Sequence, residues 1–253
     1  MIRKEIIMSA ASDKFERDIG KNLNELIQQI DRKGYAERPA ASTEYADVEM
    51  EFRDKRTWCE IKMNHTDNLS NPRVFYRDGE WQTAYKTPVA KYAVDILNKS
   101  KDTQRFIEDI AKFSGIPLSN LKIPTTKSGL HENGAVPLAT MKRFFSKVGV
   151  NHYIAEEKNY DLGKIVTEHY TIGKKEPAHY MQAKDDFYMI SDENPFGFRG
   201  VPLLKGIGDF RVRIATRSLF YEVQAEIKIK HMANSKFSVA GKTKKKNPFD
   251  TIK

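Results

Sequence analysis

The feature that most constrains this chain is a strict alternation of polar and apolar side chains between residues 45 and 63. The apolar set of this segment is Ala46, Val48, Met50, Phe52, Cys59, Ile61 and Met63. The set that alternates with it is Tyr45, Asp47, Glu49, Glu51, Trp58, Glu60 and Lys62. Successive side chains of a β-strand point to opposite faces. The segment therefore predicts a β-hairpin, residues 45–52 and 57–63, with one apolar face, one polar face and a polar turn at residues 53–56.

Helical periodicity occupies much of the first 150 residues. Apolar residues at three- and four-residue steps between positions 12 and 32 predict an amphipathic helix. Asp13 and Glu16 have the spacing of a capping box, which predicts that this helix begins near residue 13. Residues 33–43 are interpreted as a connector without a strand. Thr87 and Pro88 predict the start of a further helix that carries Val89, Tyr92, Ile96 and Leu97, and two more helices are predicted at residues 102–114 and at about residues 137–148.

Beyond residue 151 the hydrophobic period changes from helical to alternating. This pattern predicts strands near residues 152–156, 164–172, 179–183 and 187–190. A longer hairpin is expected from residues 207–214 with residues 219–231. We therefore predict an α+β protein, with a helix-containing core in residues 1–150 and a β-rich part in residues 151–253 that packs on this core as one unit.

The net charge of +9 belongs entirely to one end of the chain. Residues 199–253 contain 13 basic and 4 acidic residues, and the preceding part is neutral. A localised basic excess favours an anionic partner, with nucleic acid as the first candidate. The apolar stretches are too short for a membrane span or a signal peptide, and Cys59 is the single cysteine. We therefore expect a cytoplasmic protein without disulfides.

The polar face of the first hairpin is locally acidic, with a formal charge of −3. If the turn is centred between Asp54 and Lys55, Asp47 lies opposite Lys62 and diagonal to Glu60. Crowded carboxylates repel one another, and a hard cation with oxygen ligands relieves that repulsion. We expect Mg²⁺ to be held by Asp47, Glu60 and the Ile61 carbonyl. Lys62 would orient or help to deprotonate an attacking water molecule.

Asp47, twelve further residues and then Glu60-Ile61-Lys62 resemble the D-x(n)-(D/E)-x-K signature of the PD-(D/E)XK nuclease superfamily, which includes restriction, repair and phage nucleases. The resemblance covers about residues 12–100. It implies a restriction-endonuclease-like core of a helix, a mixed sheet and further helices, and Mg²⁺-dependent hydrolysis of DNA, with Mn²⁺ as a substitute. It also implies that Glu16, on the preceding helix, is an auxiliary ligand. The chain departs from the family pattern at Ala46, where proline is usual, and in lacking a predicted strand between helix and hairpin.

A second match to the same signature lies on the long C-terminal hairpin, formed by Asp209, sixteen further residues and then Glu226-Ile227-Lys228. Its polar face has a formal charge of +1, so its charges can pair internally without a metal. Asp209, Glu226 and Lys228 remain an alternative catalytic set. The favoured interpretation is that this face of the hairpin binds along the phosphate backbone of a nucleic acid. Its basic residues are Arg211, Arg213, Lys228 and Lys230.

Other polar residues are candidates for contacts with nucleic acid. Asn64, His65 and Asn68 follow the presumed active site, and Lys244, Lys245 and Lys246 form a basic run near the C-terminus. The sequence favours a Mg²⁺-dependent endonuclease acting on DNA, of the restriction type or the phage and repair type. The alternative is a non-catalytic nucleic-acid-binding protein whose acidic hairpin is ordinary surface. Whether the chain acts as a monomer or a homodimer is left open by the sequence.

Overall fold

The structure is a computed structural model that describes residues 2–39, 44–65, 68–148, 153–241 and 243–252. Its longer helices are α1 (Ile2–Gln28), α2 (Pro88–Lys99), α3 (Lys101–Ser114), α4 (Leu138–Val148) and α5 (Leu162–Thr171). Its first six strands are β1 (Tyr35–Glu37), β2 (Val48–Phe52), β3 (Lys55–Lys62), β4 (Asn68–Ser70), β5 (Arg73–Arg77) and β6 (Glu80–Gln82). The later strands are β7 (Tyr153–Asp161), β8 (Ala178–Ala183), β9 (Asp186–Met189), β10 (Gly206–Thr216) and β11 (Tyr221–Met232). The α+β class predicted from the sequence is confirmed.

The chain forms two compact units, each assembled from separate stretches of sequence. The first unit combines residues 1–67, 161–207 and 229–253. The second unit combines residues 68–160 and 208–228. The division therefore differs from the predicted boundary at residue 150, because the second unit is inserted between β3 and α5 and takes most of the long C-terminal hairpin. Within the described residues, none of the helices is both long and apolar enough to cross a lipid bilayer.

The first unit is built on a mixed five-stranded sheet in the order β1-β2-β3-β8-β9. Strands β1, β2 and β3 form an antiparallel meander, β8 runs parallel to β3, and β9 returns antiparallel to β8. A parallel neighbour needs a crossover connection. The helix of that crossover is α5, which directly precedes β8.

Helix α1 packs its apolar stripe on one face of this sheet. Ile19, Leu23 and Ile27 are 2%, 0% and 0% exposed and belong to the core cluster of the unit. Their partners on β2 are Val48, Met50 and Phe52, the predicted apolar face of the first hairpin. The predicted apolar face of the hairpin therefore does face α1, although Glu49, Trp58 and Glu60 of the other face are buried as well.

Two predictions for the beginning of the chain were wrong. The first helix begins at Ile2, so Asp13 and Glu16 lie inside α1 and are not its cap. The connector at residues 33–43 contains β1, which pairs antiparallel with β2 through Tyr35 and Glu51. A three-residue strand is too short to produce a recognisable alternation, so only the pairing with β2 reveals it.

The first hairpin exists as predicted, but its register differs by two residues. Arg53 and Asp54 both have positive φ, 50° and 59°, and form a two-residue turn of the I′ kind. Phe52 therefore pairs with Lys55, and Val48 pairs with Cys59. Continuing this register by one residue sets Asp47 beside Glu60, and the predicted pairing of Asp47 with Lys62 was wrong. A slip of two residues leaves every side chain on its predicted face.

The predicted strand at residues 164–172 is in fact helix α5. Asp161 caps the helix by accepting a 2.8 Å hydrogen bond from the Gly163 N–H. The buried residues of α5 are Leu162, Ile165, Val166, His169 and Tyr170, which recur at helical spacing. The other predicted strands correspond to β7, β8 and β9, with residue 152 outside the described residues.

The second unit contains α2, α3 and α4 and a sheet in the order β6-β5-β11-β10-β7, with β4 pairing separately with β11. Each predicted helix is present. Thr87 caps α2 and Pro88 opens it, while α3 ends at Gly115, which has a left-handed φ of 71°. The long hairpin of β10 and β11 confirms the prediction for residues 207–231.

Candidate active site

Asp47, Glu60 and Lys62 converge just before the beginning of β2, where β3 continues past it. The Asp47 Oδ2 atom accepts a 2.8 Å hydrogen bond from the Ile61 N–H, two residues beyond Cys59, the partner of Val48 at the start of β2. The register sets this carboxylate next to Glu60, and Lys62 follows on the same face of β3. The structure therefore brings together the three residues of the first signature.

Glu60 is held in one position by two donors. Its side chain is 6% exposed, and Oε1 accepts both the Lys62 ammonium at 2.5 Å and the Tyr170 hydroxyl at 2.9 Å. Burial alone would raise the pKa of Glu60, but the charge and hydrogen bond of Lys62 outweigh burial and lower it. Glu60 is therefore a rigid, ionised carboxylate.

Among these three residues, Asp47 is the one whose charged form is disfavoured by its surroundings. Burial, followed by repulsion from the Glu60 carboxylate, raises the pKa of Asp47 to about 7. Glu16 adds to the same effect, while Lys62 and the Ile61 N–H oppose it. An ionised Asp47 is therefore costly in the metal-free protein, and a bound cation would relieve this cost.

The Lys62 side chain is 15% exposed. Burial would lower its pKa, but the Glu60 and Asp47 carboxylates and the Tyr170 oxygen raise it well above the usual value. Lys62 is consequently held as an ammonium ion. This state suits orienting a water molecule and stabilising negative charge, and it does not suit accepting a proton from water.

The oxygens around Asp47 fit a hard cation. The hydrogen bonds described above use Oδ2 of Asp47 and Oε1 of Glu60, and among the described residues none reaches the second oxygen of either carboxylate. The N–H and C=O of one strand residue point to the same side. The Ile61 carbonyl therefore faces the side on which Asp47, just before β2, binds the Ile61 N–H. Two carboxylates and a carbonyl are suitable Mg²⁺ ligands.

Glu16 lies near this group but is already engaged. Its Oε2 atom binds Arg38 at 2.5 Å, and its Oε1 atom accepts a 3.2 Å hydrogen bond from Ser12. Arg38 also binds Asp13 at 2.5 Å, so one guanidinium ties α1 to the segment that follows β1. The electrostatic influence of Glu16 and Arg38 on Asp47 indicates that both are close to it.

Helix α5 and the segment after it contribute residues that the sequence analysis missed: His169 and Tyr170 lie on α5, and Lys174 follows it. Tyr170 is 1% exposed and donates to Glu60, and the Lys174 ammonium lies 5.6 Å from the centre of the Tyr170 ring. Burial lowers the pKa of Lys174, and its charge also lowers the pKa of Glu60. Burial, followed by the charge of Lys174, lowers the pKa of His169 to about 4. The helical spacing of Ile165, His169 and Tyr170 was the signal that could have found this face.

Asn64, His65 and Asn68, predicted to contact nucleic acid beside the active site, do not all belong to the same unit. Asn64 and His65 belong to the first unit, whereas Asn68 begins the second and pairs with Lys228 of β11. The His65 Nε2 atom lies 2.8 Å from Oδ2 of Asp186, which is 1% exposed.

His65, Asp185 and Asp186 form a further group of the kind that holds metal ions. The Lys245 ammonium lies 2.6 Å from Asp186 and 3.5 Å from Asp185. This ammonium already balances part of the negative charge of the group.

The second signature has a different character. Asp209 accepts a 3.3 Å hydrogen bond from the Asn159 N–H, and Glu226 forms an ion pair with Arg213. Arg211 binds Glu156 at 2.8 Å. Glu226 is thus paired with a basic residue of the same hairpin, whereas Asp209 binds a backbone N–H and Arg211 pairs with Glu156 of β7.

The basic run near the C-terminus is ordered rather than a free tail. Lys246 exchanges backbone hydrogen bonds with the segment at residues 236–238, and Phe249 beyond it is fully buried. Lys244, Lys246 and, on β11, Lys230 are exposed, and Lys228 is half-buried. Lys245 differs because it is engaged with Asp185 and Asp186.

Comparison of the chain with protein-family models, with curated proteins and with solved structures found no match. The functional interpretation therefore depends on the residues and geometry described above.

Proposed function

We propose that this protein is a Mg²⁺-dependent nuclease that hydrolyses phosphodiester bonds in DNA, with Asp47, Glu60 and Lys62 at its active site. The observation that carries the proposal is the contact of Asp47 with the Ile61 N–H beside Glu60, whose own carboxylate is fixed by Lys62. Two carboxylates forced together in a half-buried site, with an ammonium beside them, form an arrangement suited to a cation and a phosphate.

The order of elements adds support to the resemblance to the PD-(D/E)XK superfamily. Helix α1 precedes a mixed sheet, the signature lies on the β2–β3 hairpin, and α5 covers the polar face of the hairpin through Tyr170. The strand that the sequence analysis did not find between helix and hairpin is β1. One of the two departures from the family pattern is thereby removed, and Ala46 before Asp47 remains the other.

Asp47, Glu60 and the Ile61 carbonyl would hold the cation. Bound Mg²⁺, or Mn²⁺ in its place, would lower the pKa of a bound water molecule and neutralise charge on the scissile phosphate. Lys62 would orient the attacking water molecule and stabilise developing negative charge. Glu16 would act as an auxiliary residue only after release from Arg38, since both of its oxygens are engaged.

Basic residues of each unit would bind the phosphate backbone. Lys228 on β11 in the second unit and the exposed Lys244 and Lys246 in the first unit are candidates for phosphate contacts, each adding a salt-dependent increment of affinity. Endonucleolytic cleavage, of the restriction type or the phage and repair type, is part of the proposal by analogy with the superfamily.

The test is cleavage of circular and linear DNA in Mg²⁺ or EDTA. We expect Mg²⁺-dependent cleavage that falls at least 100-fold in Glu60→Gln and Lys62→Met, an effect typical of lost charge stabilisation. Glu226→Gln is the matched control, because Glu226 is the corresponding glutamate of the second signature and is paired with Arg213.

Loss of cleavage in Glu226→Gln alone would assign catalysis to Asp209, Glu226 and Lys228. Binding without cleavage of any DNA or RNA by the wild-type protein would favour a non-catalytic nucleic-acid-binding protein.

A further inference from the structure

The second unit contains a pocket of about 290 Å³ that the nuclease site does not use. One wall is the outer face of β5, where Arg73, Phe75 and Arg77 alternate with the buried Val74 and Tyr76. A second wall is the neighbouring segment from residue 122 to residue 129. The pocket therefore lies entirely within residues of one compact unit.

The surface of this pocket is mainly apolar and aromatic. Phe75 is half-buried, and Tyr85, at the mouth, is 46% exposed although it is a large aromatic residue. Pro124 contributes to the second wall, residues 122–129. Exposed aromatic faces in a concave site are suited to stacking against a flat ring.

The rim of the pocket is rich in cations. Arg77 and Lys122 share one carboxylate, Glu132, and the Lys122 ammonium lies 3.2 Å from it. Arg73 likewise shares Glu222 with Arg217, at 2.9 and 3.0 Å. The charged residues that line the pocket itself are Arg73, Arg77, Lys122 and Glu132, so its local charge is positive and favours an anionic group beside the aromatic surface.

The pocket is preformed by close backbone packing. Tyr76 and Ile123 exchange backbone hydrogen bonds of 3.0 and 2.9 Å, which join β5 to the second wall, residues 122–129. Gly129 is necessary at its position, because a Cβ atom there would lie 2.6 Å from the Pro124 Cβ atom. A rigid pocket loses little conformational entropy when a ligand enters.

We propose that this pocket binds one unstacked nucleotide of single-stranded DNA, with the base against Phe75 and Tyr85 and the phosphate beside Arg73, Arg77 and Lys122. A volume of about 290 Å³ suits one nucleotide and excludes a stacked base pair. Bases inside a duplex are stacked and cannot enter such a pocket without being extruded. The inference rests on DNA as the partner in the proposed function, and it does not depend on cleavage.

The experiment measures binding of a labelled single-stranded 12-nucleotide DNA and of the matching duplex in EDTA, where no Mg²⁺-dependent cleavage occurs. Tyr85→Ala should weaken single-strand binding about tenfold, since loss of one stacked base costs about 1–3 kcal/mol. Duplex affinity should be unchanged. Tyr85→Phe should retain single-strand affinity, because the ring is kept.

Leu118→Ala is the matched control, because Leu118 lies in the same unit, is 44% exposed and does not line the pocket. Equal melting temperatures of the variants will show that they are folded. Unchanged single-strand binding in Tyr85→Ala, equal losses for single strand and duplex, or no single-strand binding by the wild type would overturn the proposal. Competition by thymidine monophosphate as effective as that by the oligonucleotide would also overturn it, in favour of a free nucleotide. Failure of the nuclease proposal is distinguishable, because it would appear as absent cleavage in Mg²⁺ with this binding intact.

Discussion

The hydroxyl of Tyr170 donates a 2.9 Å hydrogen bond to Oε1 of Glu60, the same oxygen that binds the Lys62 ammonium. Tyr170 lies 110 positions after Glu60 in the sequence, and residues 68–160 of the second unit come between the two. The crossover helix α5 therefore supplies part of the support for the candidate active site.

Tyr170→Phe removes this hydrogen bond while retaining the buried ring. Because a hydrogen bond to a charged group contributes about 1.5–3 kcal/mol, we expect cleavage to fall about tenfold or more. Tyr188→Phe is the matched control, since its buried hydroxyl donates a 2.7 Å hydrogen bond to the Ala233 carbonyl in the same unit. Comparable melting temperatures with unequal cleavage rates would support a positioning role. Equal rates in the two variants would contradict it.

Asp47 makes the stability of the metal-free protein depend on pH. Its pKa is raised to about 7 in the folded state from an ordinary value near 3.8, so the folded state binds the proton more tightly. Its contribution to stability is fully present below about pH 4 and is lost as the pH rises to about 7. In EDTA, Asp47→Asn should therefore melt about 5 °C above the wild type at pH 8 and close to it at pH 4.

Thermal unfolding followed by circular dichroism will measure both differences. Asp95→Asn, at an exposed position on α2 outside the candidate site, is the control for replacing an aspartate by asparagine. Mg²⁺ should raise the melting temperature of the wild type at pH 8, because bound cation stabilises the folded state, and should have little effect on Asp47→Asn. If the melting temperatures of the wild type and Asp47→Asn differ by the same amount at pH 4 and pH 8, the raised pKa of Asp47 is falsified.

Lys174 should influence the pH below which the cleavage rate falls. Its charge helps to lower the pKa of Glu60, so Lys174→Gln should move the acid limb of the pH–rate profile to higher pH. Lys175→Gln is the control, because Lys175 is adjacent in sequence and its ammonium lies over the Tyr45 ring, whereas the Lys174 ammonium binds the Tyr45 carbonyl at 3.1 Å and acts on Glu60. Cleavage rates between pH 4.5 and 7.5 will distinguish the two variants. A shift of the same size in Lys175→Gln would indicate a general effect of charge.

Two lysines of the basic C-terminal region should respond differently to neutralisation. Lys228→Gln should weaken DNA binding and reduce the slope of log affinity against log salt by about 1, as expected for one lost phosphate contact. Lys245→Gln should instead lower the melting temperature, because it leaves the buried Asp186 without its cation. Binding titrations from 50 to 300 mM NaCl and thermal melts will measure both effects. A reduced slope in Lys245→Gln with an unchanged melting temperature would contradict this assignment.

The candidate site shows how far local patterns could reach. Alternation between residues 45 and 63 assigned Asp47, Glu60 and Lys62 to one face, and the structure retains that assignment. The register was not predictable, because a two-residue slip keeps the same faces and only the turn at Arg53 and Asp54 selects the pairing. Tyr170 was missed because residues 164–172 were interpreted as a strand, although their buried residues have helical spacing.

What the sequence by itself determined is therefore the set of strongly periodic elements and the chemistry of their faces: the amphipathic α1, the β2–β3 hairpin and the basic C-terminal region. These features are local, since hydrophobic periodicity and charge are read along a single segment. Only the tertiary structure decided that Asp47 lies beside Glu60, that Tyr170 fixes Glu60, and that Lys245 is engaged with Asp185 and Asp186. These contacts join segments distant in the chain, and no local pattern encodes which polar group will meet which partner when the apolar faces are buried.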